Sequence, residues 1–422
     1  MASVVFRNFH IIDAFTDIIG SVFVEGGRIA DVLPEAAARQ RAAGGAIVFD
    51  GDGRLTLTSG FVDMHAHFRE GAPPEGGGEA GGNFDFCRKE TLESACLAAA
   101  RGGYTSVVCM ANTNPPVDSA ETAAAIKRRA DALGLINLYP AVSLSEGMAG
   151  KRLSSYLSAK SEADYRPPLL SEDGRDVADD ALFSAALRAA AERGAVVSCH
   201  CDIGGEEAAV ERVVRLGMEA GVRFHIAHVS TSGATALLRS SKAACPSLTA
   251  EAAPHHIALT GGSAAAADAE TFGKVAPPLR GEGDRRAVIE ALRSGVIDVI
   301  ATDHAPHSEA DKRGGAPGFS GLETAFAVCN TVLVKENHFT AQKLFSLLSA
   351  APARILGLEG RGFVAKGAHA DIVILDAEAE VHVDSGAFAS RGKNTLFDGA
   401  KLLGRVLLTT RGGKITYHSG VC

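Results

Sequence analysis

Two histidines one residue apart stand at the end of an apolar run, Gly60-Phe61-Val62-Asp63-Met64-His65-Ala66-His67-Phe68-Arg69-Glu70. In an extended strand, side chains at i and i+2 project to the same side. His65 and His67 therefore leave the C-terminal end of such a strand together, with Arg69 on the same side if the extension continues. Two converging imidazoles are half of a divalent metal site. The pair alone fits two unrelated histidines at a strand edge equally well, so the rest of the chain must supply the other ligands.

The elements that would position those ligands show in the alternation of the chain. Residues 1–57 read as short strands at 4–6, 21–25, 28–33 and 46–50, with a hairpin turn at Gly26-Gly27 and a helical turn at 36–43. From residue 58 the pattern changes. Apolar runs at 60–68, 104–110, 135–144, 166–173, 195–201, 223–230, 248–255 and 296–304 alternate with stretches of helix formers. Those stretches are 88–102, 119–133, 146–160, 179–193, 206–220, 232–243 and 283–294. Alternating strands and helices predict an α/β fold with a parallel sheet. Eight such units over about 250 residues predict a (β/α)8 TIM-like barrel, here spanning 58–356. A doubly wound open sheet ranks second, because no Gly-rich dinucleotide fingerprint follows the first strand. Helices over 321–336 and 340–350 come next, with Pro352 marking the edge of the second. Residues 357–422 return to short strands at 370–375, 381–383, 406–410 and 414–418, with a turn at Gly412-Gly413. The two ends of the chain, 1–57 and 357–422, are expected to meet in one composite β-sandwich domain.

In a barrel, active sites sit at the C-terminal ends of the strands. The first strand ends in His65 and His67, and the second runs into Met110-Ala111-Asn112-Thr113-Asn114. The fourth ends in Ser171-Glu172-Asp173-Gly174, the fifth in Cys199-His200-Cys201-Asp202, and the sixth in His225-Ile226-Ala227-His228. The seventh ends in Pro254-His255-His256 and the eighth in Ala301-Thr302-Asp303-His304-Ala305-Pro306-His307. Histidines and aspartates aimed at one rim point to a metal-dependent site, and their number suits a two-metal hydrolase. Two divalent cations need five or six nitrogen and oxygen ligands, including a bridging carboxylate, and lower the pKa of a bound water. A further carboxylate must take that water's proton and return it to the leaving nitrogen. Asp303, ending the last strand beside the first, is the candidate. His225 and His256, taken singly, read as structural.

Composition narrows the class. The chain has 422 residues, 46% hydrophobic, with 42 basic against 50 acidic residues and a net charge of −8. No nucleic-acid footprint and no basic membrane face follows from that balance. The first residues lack a signal-peptide layout, and no run reaches the roughly 18 apolar residues of a membrane span. The 8 cysteines form no CxxC pair, which suggests reduced core thiols of a cytoplasmic protein. Cys199 and Cys201, flanking His200, are expected in the core rather than on a metal. Residues 71–83, rich in glycine, read as a loop, with a flap over the site as its functional version.

The blocks His65-Ala66-His67-Phe68-Arg69-Glu70, Pro254-His255-His256, Pro277-Pro278-Leu279-Arg280, Ala301-Thr302-Asp303-His304-Ala305-Pro306-His307, Gly321-Leu322-Glu323-Thr324 and Gly392-Lys393-Asn394-Thr395 resemble, in order and over nearly the whole chain, the type I bacterial dihydroorotases of the amidohydrolase superfamily. The resemblance implies the barrel with its composite β-sandwich. It implies two zinc ions held by His65, His67, Asp173, His200, His228 and Asp303, with other divalent metals as alternatives. It also makes Asp303 the catalytic acid and base, and sets Arg69, Asn112 and His307 on the substrate carboxylate, with backbone contacts from Pro317 and Gly318. The implied reaction is reversible hydrolysis of dihydroorotate to N-carbamoyl-aspartate, a step of pyrimidine synthesis. The partners it leaves open are a homodimer and an association with aspartate transcarbamoylase. Ala111, Ala276, the insertion at 71–83 and a short 200–228 segment depart from the family pattern near the substrate rather than at the ligands. A hydantoinase-like or allantoinase-like activity is the alternative. Those enzymes bridge their metals with a carboxylated lysine, whereas the strand here ends in Asp173 and Lys160 lies before it in a helical stretch. A non-catalytic partner of aspartate transcarbamoylase is the other alternative.

Overall fold

The apolar runs fold as parallel strands in the order the sequence places them. The computed structural model describes residues 3–39, 45–71, 84–159, 164–264 and 273–420. The expected flap at 71–83, apart from Gly71, and Lys160 lie outside the described residues. In chain order the strands are β1 (Val4–Ile12), β2 (Asp17–Glu25), β3 (Arg28–Pro34), β4 (Ile47–Asp50) and β5 (Thr56–Ser59). Then come β6 (Phe61–Ala66), β7 (Tyr104–Cys109), β8 (Asn137–Pro140), β9 (Leu169–Ser171), β10 (Val196–Cys199), β11 (Phe224–Ile226), β12 (Leu248–Ala252) and β13 (Val299–Ile300). The last three are β14 (Ile372–His382), β15 (Lys401–Arg411) and β16 (Lys414–His418).

Strands β6-β7-β8 form one parallel run and β13-β12-β11-β10-β9 another. Parallel bridges Val142–Leu170 and Ala66–His304 join the two runs at both seams and close the ring. The final seam puts the end of the last strand beside the first. His67 N–H donates to His304 O at 2.7 Å and Asp303 N–H to His65 O at 2.9 Å. The buried Asp63 carboxylate clamps the same seam, accepting from His65 N–H at 3.1 Å and Thr302 N–H at 3.0 Å. Burial pushes its pKa up to about 7, against those bonds.

The chain ends share one sheet, ordered β16-β15-β14-β5-β1-β2-β3 with β4 beside β1. Phe6, Ile11, Val22 and Leu57 share a buried core with Ile372, Ile374 and Leu408, so this sheet folds over itself as a sandwich. It is fastened to the barrel by Asp371, which accepts from Asn137 Nδ2 at 3.2 Å, from Gly412 N–H at 2.7 Å and from Arg361. Gly60 marks the passage from sandwich to barrel. A Cβ there would lie 2.1 Å from Thr105 Oγ1, so the close approach needs glycine.

Barrel helices start where side-chain caps allow. Ser119, Asp179 and Thr231 each accept the third N–H of the helix they open. The expected helix at 88–102 is instead two, Phe84–Lys89 and Leu92–Arg101, because Thr91 and Ser94 form a capping box that restarts it. The expected helix at 146–160 is replaced by a single turn, Glu146–Met148, and a short helix, Ser155–Ser158. Gly147 and Gly150 take positive φ there, which a helix cannot absorb. Pro352 does not end its helix. It sits in the first turn of Ala351–Leu356, after a wide turn at Ser346–Ala350, where a missing N–H does no harm. The expected strands at 370–375 and 381–383 are one, β14, interrupted by a bulge between Asp376 and Glu380.

Beneath the barrel, the Phe61 ring is fully buried and stacks on Phe326 and Phe345, with centroids 5.7 and 6.3 Å away. We expect Phe61→Ala to lower stability by about 3–5 kcal/mol, read as a fall in the thermal unfolding midpoint. An unchanged midpoint would mean that this ring is not part of the packing that supports β6.

Candidate metal centre

His65 and His67 leave β6 into the mouth of the barrel, their ring centroids 5.3 Å apart. His65 Nδ1–H donates to Glu251 Oε1 at 2.7 Å. That bond fixes the tautomer, so Nε2 carries the lone pair. This buried Nε2 has no hydrogen-bond partner, yet Asp173 Oδ1 lies 3.1 Å and Asp303 Oδ1 3.6 Å away. His67 is set the same way. Its Nδ1–H donates to Asn112 Oδ1 at 2.9 Å, and its Nε2 is hydrogen-bonded to Asp303 Oδ1 at 3.2 Å and lies 3.5 Å from Asp173 Oδ2. Imidazole nitrogens converging on carboxylate oxygens at such distances are what ligands of a shared cation present. Two groups of atoms lie close enough to hold an ion: those of His65, Asp173 and His228, and those of His65, His67 and Asp303.

His200 stands at the edge of this cluster. Its ring packs edge-on against His228, with centroids 4.7 Å apart, and its Nδ1 lies 3.7 Å from Asp176 Oδ1. A cavity of about 240 Å³ opens over these groups. It is lined by His67, Asp173, His200, His228 and Asp303, and also by Arg69, Asn112, His307, Pro317 and Gly318. His65 lies beneath it, fully buried. The residues singled out in the sequence thus meet at one mouth. Arg69, His228 and Asp303 take φ values of +57°, +32° and +48°, a region side chains rarely occupy, and such outliers concentrate at functional sites.

The electrostatics of the cluster are those of a cation site. For His65, burial favours the neutral ring, but Asp173 and Glu251 outweigh it and raise the pKa well above the ordinary value. Asp173 and Asp303 are buried too, yet the surrounding imidazoles hold both carboxylates below their usual range. Burial and the neighbouring His200 and His65 lower the pKa of His228 to about 3, so its ring is neutral at pH 7, as a ligand must be. Burial raises the pKa of the Cys199 and Cys201 thiols, whose Sγ atoms lie against the Val197 and Cys199 carbonyls in the core.

Four supporting residues were not legible as such. Glu251 bridges His65 to His225, whose Nε2 lies 3.0 Å from Oε2. His225 is therefore a brace of the site, one residue layer below it. Asp176 accepts from the Asp202 and Ile203 N–H groups at 2.9 Å each and so holds the loop after His200. Asn112, expected on the substrate, spends Oδ1 on His67, and its Nδ2 donates to Asp173 Oδ2 at 3.2 Å. Glu251 is the last residue but one of β12 (Leu248–Ala252), ahead of the Pro254-His255-His256 that the sequence offers as that strand's end, so reading the end there passes over it.

The substrate-side groups also differ in part from expectation. Arg69 lines the cavity, its Nε donating to Pro306 O at 3.3 Å and its Nη2 lying 3.2 Å from His307 Nε2. His307 Nε2–H donates to Pro317 O at 2.9 Å, and its buried Nδ1 has no partner. Burial and the Arg69 charge lower its pKa to about 3, so in this arrangement Nδ1 is an acceptor and not a donor to a carboxylate. Gly318 N–H is spent on Lys274 O at 2.8 Å. The Pro317-Gly318 pair therefore presents no free N–H, and both of its carbonyls already accept hydrogen bonds, Pro317 O from His307 and Gly318 O from Lys312 and Asn394.

The amidohydrolase family model matches residues 56–416. The chain is 33% identical to a dihydroorotase of Clostridium botulinum over 97% of this chain and 98% of that one. It is 38% identical to a dihydroorotase of Pelotomaculum thermopropionicum, over 95% and 94%. Among solved structures it resembles the L-hydantoinase of Arthrobacter aurescens, with a TM-score of 0.84 at 21% identity, covering 99% and 96%. The dihydropyrimidinase of Brevibacillus agri gives 0.81 at 18%, covering 99% and 95%. These structural likenesses establish the shared fold of barrel and β-sandwich. No helix among the described residues is long and apolar enough to cross a membrane.

Glu251→Ala should weaken divalent metal binding about 10–100-fold while the protein stays folded, read by titration of chelator-stripped protein. Because the His65 pKa is raised, protons compete with metal for its Nε2 even above pH 6.5, and affinity should fall as pH drops through the neutral range. Unchanged affinity in the variant, or affinity flat between pH 8 and 6, would contradict this assignment.

Proposed function

We propose that this chain, which belongs to the amidohydrolase family and within it groups with the dihydroorotases, is a cyclic amidohydrolase that opens the dihydroorotate ring reversibly to N-carbamoyl-aspartate in pyrimidine biosynthesis. The observation that carries the reading is the convergence of His65 Nε2 and His67 Nε2 on two carboxylates at one barrel mouth, in a chain whose full-length relatives are dihydroorotases. His65, His67, Asp173, His200, His228 and Asp303 would hold a pair of divalent cations. Zinc suits their nitrogen and oxygen donors, and manganese, cobalt or iron are alternatives. When bound, such ions supply Lewis-acid polarisation of the ring carbonyl and a water of lowered pKa.

The remaining work falls to the chain's own side chains. Asp303 stays ionised because His67, His65 and His228 surround it, so at neutral pH it can take the proton of the attacking water. It then returns that proton to the ring nitrogen as the C–N bond breaks. Arg69 keeps its charge although burial lowers its pKa to about 10. Its planar fork suits the substrate carboxylate. Asn112 lines the same cavity with its amide held on His67 and Asp173, and His307 steadies the wall through Pro317. A hydantoinase-like activity finds support in the shared fold alone. The non-catalytic reading gains nothing from a complete set of ligating side chains gathered at one cavity.

Ring opening of dihydroorotate, hydantoin and allantoin by the metal-loaded protein separates these readings. Turnover of dihydroorotate by a wide margin is expected, and turnover of only the other two would refute the assignment. Asp303→Ala should leave the fold intact and lower kcat at least about 10³-fold. Arg69→Met should raise KM for dihydroorotate far more than His307→Ala does. A near-normal rate in the first variant would remove Asp303 from proton transfer. Equal effects in the other two would take the carboxylate away from Arg69.

A further inference from the structure

One wall of the cavity, Pro317 and Gly318, belongs to an irregular loop that follows the short helix Glu309–Arg313. Behind that wall lies Lys312, whose side chain is fully buried. Its Nζ donates to Lys274 O at 3.1 Å, Ala316 O at 2.9 Å and Gly318 O at 2.8 Å. An ammonium has three donors and no acceptor, so each donor is spent on a main-chain carbonyl. Among the described residues no carboxylate forms an ion pair with it. Burial, helped by the charge of Lys274, lowers its pKa to about 8, which still leaves it charged at neutral pH.

A buried cation without a counter-ion is unfavourable for folding, and a methionine would fill the same space. What the charge holds explains its presence. Lys274 O also accepts from Gly318 N–H at 2.8 Å, and Gly318 O also accepts from Asn394 Nδ2 at 3.2 Å. Gly318 takes φ +110°, and a Cβ there would lie 2.5 Å from Ala305 Cβ, so the loop backbone is pressed against another lining residue. Lys274 stands two residues before Ala276, which also lines the cavity. The ammonium thus joins two segments distant in sequence into one wall.

We propose that Lys312 is a positioning residue: by gathering the carbonyls of Lys274, Ala316 and Gly318 it fixes Ala276, Pro317 and Gly318 as the surface on which the substrate ring rests. The substrate part of this inference rests on the dihydroorotase reading above. Lys312 touches neither the ligating side chains nor Asp303, so its loss should leave the chemistry standing and loosen the ring's seat.

The test compares the metal-loaded wild type with Lys312→Met and Lys312→Gln, the second keeping an amide donor. In Lys312→Met, KM for dihydroorotate should rise roughly tenfold or more with kcat within about threefold. Metal content should match the wild type, and amide exchange over residues 314–320 should be faster. Lys312→Gln should fall between the two. A folded Lys312→Met with wild-type KM would overturn the proposal, as would a loss confined to kcat. If Lys312→Met is recovered unfolded, the glutamine variant decides by the same split, and failure of both to fold makes Lys312 a stability residue and refutes the positioning role. A wild type inactive on dihydroorotate would remove the functional reading instead. Amide exchange then still decides whether Lys312 holds the wall, since unchanged exchange would refute it.

Discussion

The structure depends on one unfavourable arrangement: imidazole nitrogens and carboxylate oxygens from separate strands, buried together at one mouth. His65 Nε2 and His67 Nε2 both face Asp173 and Asp303 at 3.1 to 3.6 Å. Desolvation penalises each buried charge, and only a shared positive centre relieves it. Protons on the imidazoles serve that purpose in part, which is why the His65 pKa rises and those of the aspartates fall. A divalent cation serves it more fully, because it satisfies several lone pairs at once.

Holding such groups in place is the work of the barrel. Closure through Ala66 and His304 sets the last strand's end beside the first. The clamp by Asp63 on Thr302 keeps that seam in register. Glu251 and Asn112 then hold the Nδ1 side of His65 and His67, with His225 behind Glu251, so that each ring turns Nε2 to the cluster. The positive φ values at Arg69, His228 and Asp303 are local strain that a rigid frame must absorb. Frame and site are coupled in this sense: the core supplies the stability that the mouth uses.

The sequence disclosed the ring of strands because each apolar run is short, buried on both faces and separated from the next by helix formers. It disclosed the ligands because barrel chemistry concentrates at strand ends, and His65, His67, Asp173, His200, His228 and Asp303 all stand there. It hid what depends on three-dimensional pairing. Glu251 reaches His65 from the last position but one of β12, ahead of the histidines taken as that strand's end, and His225 looked structural until its bond to Glu251 joined it to His65. The helix expected at 146–160 failed because residue composition favoured it while Gly147 and Gly150 supplied turns. Lys312 carries no signal at all in the chain, since only the fold reveals that its ammonium is buried among carbonyls.

Anomalous diffraction from crystals grown with zinc tests the central claim most directly. The account predicts two strong peaks at the barrel mouth, one about 2.0–2.2 Å from both His65 Nε2 and His67 Nε2, with Asp173 between the pair. Well-ordered crystals showing that corner assembled and no peak beside it, or a peak bound elsewhere on the chain, would contradict it.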